Sequence, residues 1–191
     1  EALRQGGNED AARAADALAR RLMDPDAMRP ESLRDRLSIA QVLLVKGQAS
    51  QAEAMLRKEL LEHPKVPAVH LGLGQVYAAL GRILDAEAQY RAVLELRPDN
   101  VNARLALAES LLRRGSLADC QAQLEEIPPG NAAAEMLRLR LDLERGMPLD
   151  PAEALKPLAE GDRSGVHLAS MLLRNGKPDE CIQICEVELQ K

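Results

Sequence analysis

Apolar and small residues recur along this chain at a fixed interval, in blocks separated by breaks that carry glycine or proline. The block Leu73-Gly74-x-x-Tyr77 returns as Ile39-Ala40-x-x-Leu43, as Leu107-Ala108-x-x-Leu111 and as Leu168-Ala169-x-x-Leu172. Behind the first three stand Gly47, Gly81 and Gly115, each 34 residues from the next. Ala52, Ala86 and Cys120 keep the same interval, as do Leu56, Tyr90 and Leu124, and Pro64 and Pro98. Every column keeps one physical character: small, large and apolar, or chain-breaking. About 34 residues accommodate two short helices and their turns. The glycine supplies the turn conformation, and the proline stops the second helix. The pattern predicts helices over 9–23, 31–46, 50–62, 67–80, 84–96, 101–114, 117–126, 132–145, 151–160, 163–174 and 178–190.

Composition agrees with helix. Ala, Leu, Arg, Glu and Gln are abundant, Phe and Trp are absent, and the only tyrosines are Tyr77 and Tyr90. Strand-favouring aromatics are therefore scarce. The formal charge of -5 is spread over interspersed residues of both signs, as on an ordinary solvated helical surface. Nucleic acid is not an expected partner, because it needs a clustered basic face or aromatic stacking platforms. No apolar run reaches the roughly 20 residues that span a bilayer. No leader is visible at the start, which favours the cytoplasm, or the periplasm if a signal was removed. The chain opens at Glu1 within what reads as a repeat, so a mature product or excised fragment is expected.

One unit carries a recognisable signature. His70-x-x-Leu73-Gly74-x-x-Tyr77, then Ala86-x-x-x-Tyr90 and Pro98, resemble the W-x-x-L-G-x-x-Y, A-x-x-x-F and P pattern of the tetratricopeptide repeat (TPR) family, with His in place of Trp. The resemblance implies an all-α fold, a right-handed α-solenoid of helix-turn-helix repeats forming a single array over 1–191. The units are a partial repeat 1–32, repeats 33–66, 67–100 and 101–130, a degenerate repeat 131–161 and a C-terminal repeat 162–191. Pro128-Pro129-Gly130 ends the third clear unit early, and Asp150-Pro151-x-Glu153 is a helix-start signal inside the degenerate one. Ser50 and Glu53 have the spacing of a capping box.

Candidate chemistry is sparse. Cys120 and Cys181 occupy the column of Ala52 and Ala86, and Cys185 the column of Leu56, Tyr90 and Leu124, so all three are expected in the core as small hydrophobes. A helical i,i+4 pair such as Cys181 and Cys185 is too far apart for an unstrained disulfide. His70 in the Trp column is expected to pack between helices, and His63 to sit at a helix C-terminus. No H-E-x-x-H, nucleophile–base or phosphate-loop motif is present. The expectation is a protein without catalytic residues, cofactor or metal.

In the TPR family the first helix of each pair lines the concave face. The residues matching that face are Leu37, Gln41 and Leu44, then Leu71, Gln75 and Ala78, then Leu105, Glu109 and Leu112, with Val166, Ser170 and Leu173 in the last unit. Of these, Leu37, Gln41, Leu44, Leu71, Gln75, Leu105, Glu109 and Leu112 are the partner-binding candidates. The family's carboxylate clamp of Lys, Arg and Asn would fall on Leu37, Gln41, Leu71, Gln75, Asn102 and Leu105, and so is not expected. An apolar face with a Gln/Gln/Glu row suits an extended or helical segment of a partner protein. The alternative is a regulatory or targeting module of a larger bacterial enzyme or of a secretion or exopolysaccharide-export assembly. The last helix offers two apolar stripes, Ile182, Cys185 and Leu189, with Ile184 and Val187 beside them. One stripe lacks a neighbour, so self-association through this end is expected.

Overall fold

The computed structural model describes residues 32–148, 164–174 and 176–189. The helices expected at 9–23 and 151–160 lie outside them. Among the described residues there are nine α-helices and no strand. They are α1 Leu33–Val45, α2 Ala49–Glu62, α3 Pro67–Ala79, α4 Ile83–Leu96, α5 Val101–Arg114, α6 Leu117–Glu125, α7 Ala132–Glu144, α8 Ser164–Arg174 and α9 Pro178–Leu189. Helices α1 to α7 each pack on the next, as do α8 and α9. In addition α1 touches α3, α3 touches α5, α5 touches α7 and α7 touches α8. The first helices of successive pairs thus form one continuous layer, which is the packing of an α-solenoid.

Local chemistry explains the ends of the helices. Ser32, Asn100 and Asn131 cap α1, α5 and α7, their side chains accepting from the backbone N–H of Asp35, Ala103 and Ala134. Gly81 closes α3 with φ 75°. Its N–H donates to Ala78 O at 3.2 Å, and the N–H of Arg82 donates to Tyr77 O at 2.8 Å. That pair of bonds satisfies the last carbonyls of the helix, and only a residue at positive φ permits it. Gly47, Gly115, Gly146 and Gly176 repeat the positive φ. The first two steps between these glycines are 34 residues, but Gly146 follows Gly115 by 31 and Gly176 follows Gly146 by 30.

The core fills the seam between the layers. Ala40, Ala52, Leu56, Leu73, Ala86, Tyr90, Leu107, Ala108, Leu111, Cys120 and Leu124 are all buried in one cluster. Gly74 faces the Tyr90 ring directly. A Cβ at this position would lie 2.8 Å from Tyr90 Cδ1. The corresponding columns in the flanking pairs hold Ala40 with Leu56 and Ala108 with Leu124, so the repeat with the largest partner has the smallest residue opposite.

Polar struts tie the layers together. Both ring nitrogens of His70 face an oxygen: Nε2 donates to Pro64 O at 2.9 Å, and Nδ1 lies 2.8 Å from Gln89 Oε1. The ring therefore bridges rather than packs as an apolar wedge. At the same interval, Arg104 donates to Pro98 O at 2.6 Å, Arg138 to Leu124 O at 2.6 Å, and Arg36 pairs with Glu59 at 2.8 Å. These four basic residues form a column that the apolar pattern did not expose. Glu87, only 1 % exposed, receives a two-point contact from Arg114 at 2.7 and 3.2 Å and a further one from Arg91 at 3.0 Å. Such a carboxylate stays buried because its lone pairs are matched.

Two further expectations are corrected. Ser50 and Glu53 form no capping box. Helix α2 begins at Ala49, so Ser50 is already inside the first turn, and Gln48 at the cap makes no side-chain bond. Glu53 pairs instead with Arg82 at 2.9 Å. Cys185 is exposed, not in the core. Its place is taken by Ile184, which is buried with Cys181 against Leu143, Leu168 and Leu172. The inner second helices face two neighbours and need a buried residue four positions after the small one. Among the described residues α9 packs mainly on α8, with Leu143 of α7 joining the same cluster, and a three-residue spacing suffices.

Candidate binding groove

The layer of first helices carries a groove of about 870 Å³. Helix α3 contributes Leu71 and Gln75. Helix α5 contributes Asn102, Leu105, Ala106 and Glu109. Helix α7 contributes Ala133, Met136, Leu137, Arg140 and Glu144, and α8 contributes Ser170, Met171 and Arg174.

The layer places these residues together because each helix ends at an equivalent turn glycine. The residue six before that glycine is Gln41, Gln75, Glu109, Arg140 or Ser170. The residue ten before it is Leu37, Leu71, Leu105, Met136 or Val166. Positions six and ten before the turn are four apart, hence on one helix face. In α3, α5 and α7 that face pairs an apolar residue with a polar one. Apolar surface supplies affinity, and the polar row fixes orientation.

Of the candidates from the sequence, Leu71, Gln75, Leu105 and Glu109 line the groove. Leu37, Gln41 and Leu44 lie on α1 and do not line it; Leu37 and Leu44 are half-buried against the core, and Gln41 is exposed. Leu112 is 5 % exposed and belongs to the core cluster. Ser170 of α8, on the concave stripe expected from the sequence, also lines it, whereas Met136, Arg140, Met171 and Arg174 were not singled out. Counting back from Gly146 recovers Met136 and Arg140 from the sequence.

Charges of both signs face this space. Among the described residues, Arg140, Arg174, Glu109 and Glu144 have no ion-pair partner within 4 Å. They remain available to a ligand. Tyr90 lies beneath this face; burial first, and then the Glu109 charge, push its phenol up to about 12. Burial likewise raises the Cys120 thiol, against the opposing charges of Arg145 and Arg140. Among the described residues that line the groove there is no thiol, histidine or carboxylate pair arranged for proton transfer. No helix among the described residues is long and apolar enough to cross a membrane.

Two tetratricopeptide repeat family models match the chain, one over residues 37–86 and one over residues 77–143. No curated protein matches it in sequence. Solved structures resemble it in fold. A thermophilic TPR protein of Thermus thermophilus superposes with a TM-score of 0.65 at 20% identity, covering 83% of this chain and 91% of that one. A tetratricopeptide repeat protein from Parabacteroides merdae gives 0.67 at 15% identity, with 90% and 69% covered. YrrB, described as a TPR protein with an unusual peptide-binding site, gives 0.55 at 16% identity, with 85% and 87% covered.

Proposed function

The chain belongs to the tetratricopeptide repeat family, and on that premise we propose that it is a non-catalytic scaffold holding a segment of a partner protein in the groove of its first-helix layer. The observation that carries this reading is the lining itself. Leu71, Leu105, Met136, Leu137 and Met171 form an apolar floor beside Gln75, Asn102, Glu109 and Arg140. Methionines adapt to varied side chains, and the amides can pair with the backbone of an extended segment. Glu109 and Arg140, in one row on adjacent helices and without an ion-pair partner among the described residues, set the register of a ligand carrying both charge signs. The peptide-binding site named for YrrB lends support by analogy of fold. As a module of a larger bacterial enzyme or export assembly, the chain would use the same groove.

Selection from a displayed library of random peptides tests the reading. The expected outcome is a consensus of spaced apolar residues flanked by charge. Glu109→Arg combined with Arg140→Glu should weaken those peptides at least tenfold while leaving helicity unchanged. Leu71→Glu with Leu105→Glu should weaken them further. Failure to enrich any consensus, or equal binding to the charge-reversed variant, would refute it.

A further inference from the structure

Glu59 is the least accounted-for group in the described array. It is 2 % exposed, and it stands in a column whose later members are Val93 and Ile127. Both of those are buried apolar residues. A carboxylate in such a place needs partners for its oxygens. Arg36 provides one, with its Nε 2.8 Å from Oε1. The other oxygen, Oε2, is buried and has no hydrogen-bond partner. An orphaned buried acceptor calls for an unseen water or ion.

The surroundings favour a cation. Glu59, Glu62 and His63 bring one ligand atom each to within 4.8 Å of one another. Their spacing at i, i+3 and i+4 places all three on one face of the last turn of α2, with His63 as the C-cap. That end of the helix also carries the negative pole of its dipole. At the cluster itself the two carboxylates of Glu59 and Glu62 outnumber the single guanidinium of Arg36. One imidazole with two carboxylates is a donor set that zinc accepts, with the remaining position left to water. None of the three lines the groove.

We infer that Glu59, Glu62 and His63 form a divalent cation site of the zinc class at the C-terminal end of α2, separate from the partner groove. The ion would satisfy Glu59 Oε2 and pin the end of α2 ahead of the turn into α3. Its role is structural, and it requires no ligand in the groove.

Titration calorimetry with zinc chloride on the 191-residue chain carrying Cys185→Ser, which removes the exposed thiol as a competitor, tests the site. One zinc per chain is expected, with a rise in melting temperature. Glu62→Gln and His63→Gln, both at positions outside the buried core, should each weaken zinc at least tenfold and abolish the rise without altering helicity. Cobalt substituted for zinc should bind without the near-ultraviolet band of a thiolate–metal bond. Absence of stoichiometric zinc, a thiolate band, or unchanged affinity in His63→Gln would overturn the assignment. Because Glu59→Gln also removes the Arg36 partner, it serves only as a comparison with the two milder variants.

Discussion

At the scale of single residues, this protein is governed by what stands opposite the small columns. Gly74 faces the Tyr90 ring so closely that a methyl group has no room. Gly74→Ala should gain about 1 kcal/mol of helix propensity and lose more to overpacking, which typically costs about 1–3 kcal/mol. A net lowering of the urea midpoint is expected. Combining it with Tyr90→Leu recreates the Ala108–Leu124 pairing of the next repeat and should recover most of the loss. An additive double variant would show that the clash is not the cause. Tyr90 also sets a pH limit. Its folded-state value of about 12 lies above the ordinary phenol value of about 10, chiefly through burial. The protonated phenol is thus favoured by folding, so its contribution is full below about pH 10 and is lost as pH rises towards 12. Denaturation midpoints measured across that window should fall, and fall less steeply in Tyr90→Phe. Glycine and tyrosine were both legible as columns of the sequence. Their mutual compensation needed the distance between them.

At the scale of elements, α9 shows where an array pattern stops predicting. Cys181 follows its column and is buried, whereas Cys185 is exposed because the apolar stripe shifts to Ile184. Native-state thiol labelling should therefore divide: Cys185 fast, Cys120 and Cys181 slow. Burial raises the thiols of both slow residues, and the neighbouring Cys185 raises that of Cys181 further, which lowers their reactive thiolate fraction. Comparable rates at all three would contradict the packing of α9. The same shift decides which isoleucine of α9 is exposed. Ile184→Lys should unfold the terminal pair by burying an unpaired charge, while Ile182→Lys, at a residue 56 % exposed, should leave thermal stability within about 0.5 kcal/mol. If this end joins two copies, Ile182 is the residue whose charge would separate them, as sedimentation can read.

At the scale of the whole molecule, the fold was legible because each pair announces its own turn. The groove was half legible. Leu71, Gln75, Leu105 and Glu109 follow the 34-residue interval, but the steps of 31 and 30 beyond Gly115 displace every later position from a fixed count. The four-membered basic column stayed hidden for another reason: Arg36, His70, Arg104 and Arg138 share a role as bridges rather than a hydropathy. The turn glycines have one more consequence, which concerns handedness. At Gly81 an L-methyl group would meet nothing within 4 Å, so what excludes alanine there is the sign of φ and not the lack of space. A D-amino acid prefers that sign. Semisynthetic chains with D-alanine at the exposed Gly81 should therefore be more stable than the parent, by about 0.4–1 kcal/mol, because the unfolded chain loses freedom that the folded turn never used. L-alanine should melt lower. Gly47 and Gly115 share the conformation and the open surroundings. Mirror-image residues at all three would then stiffen the array one turn at a time, without touching a side chain of the core or of the groove.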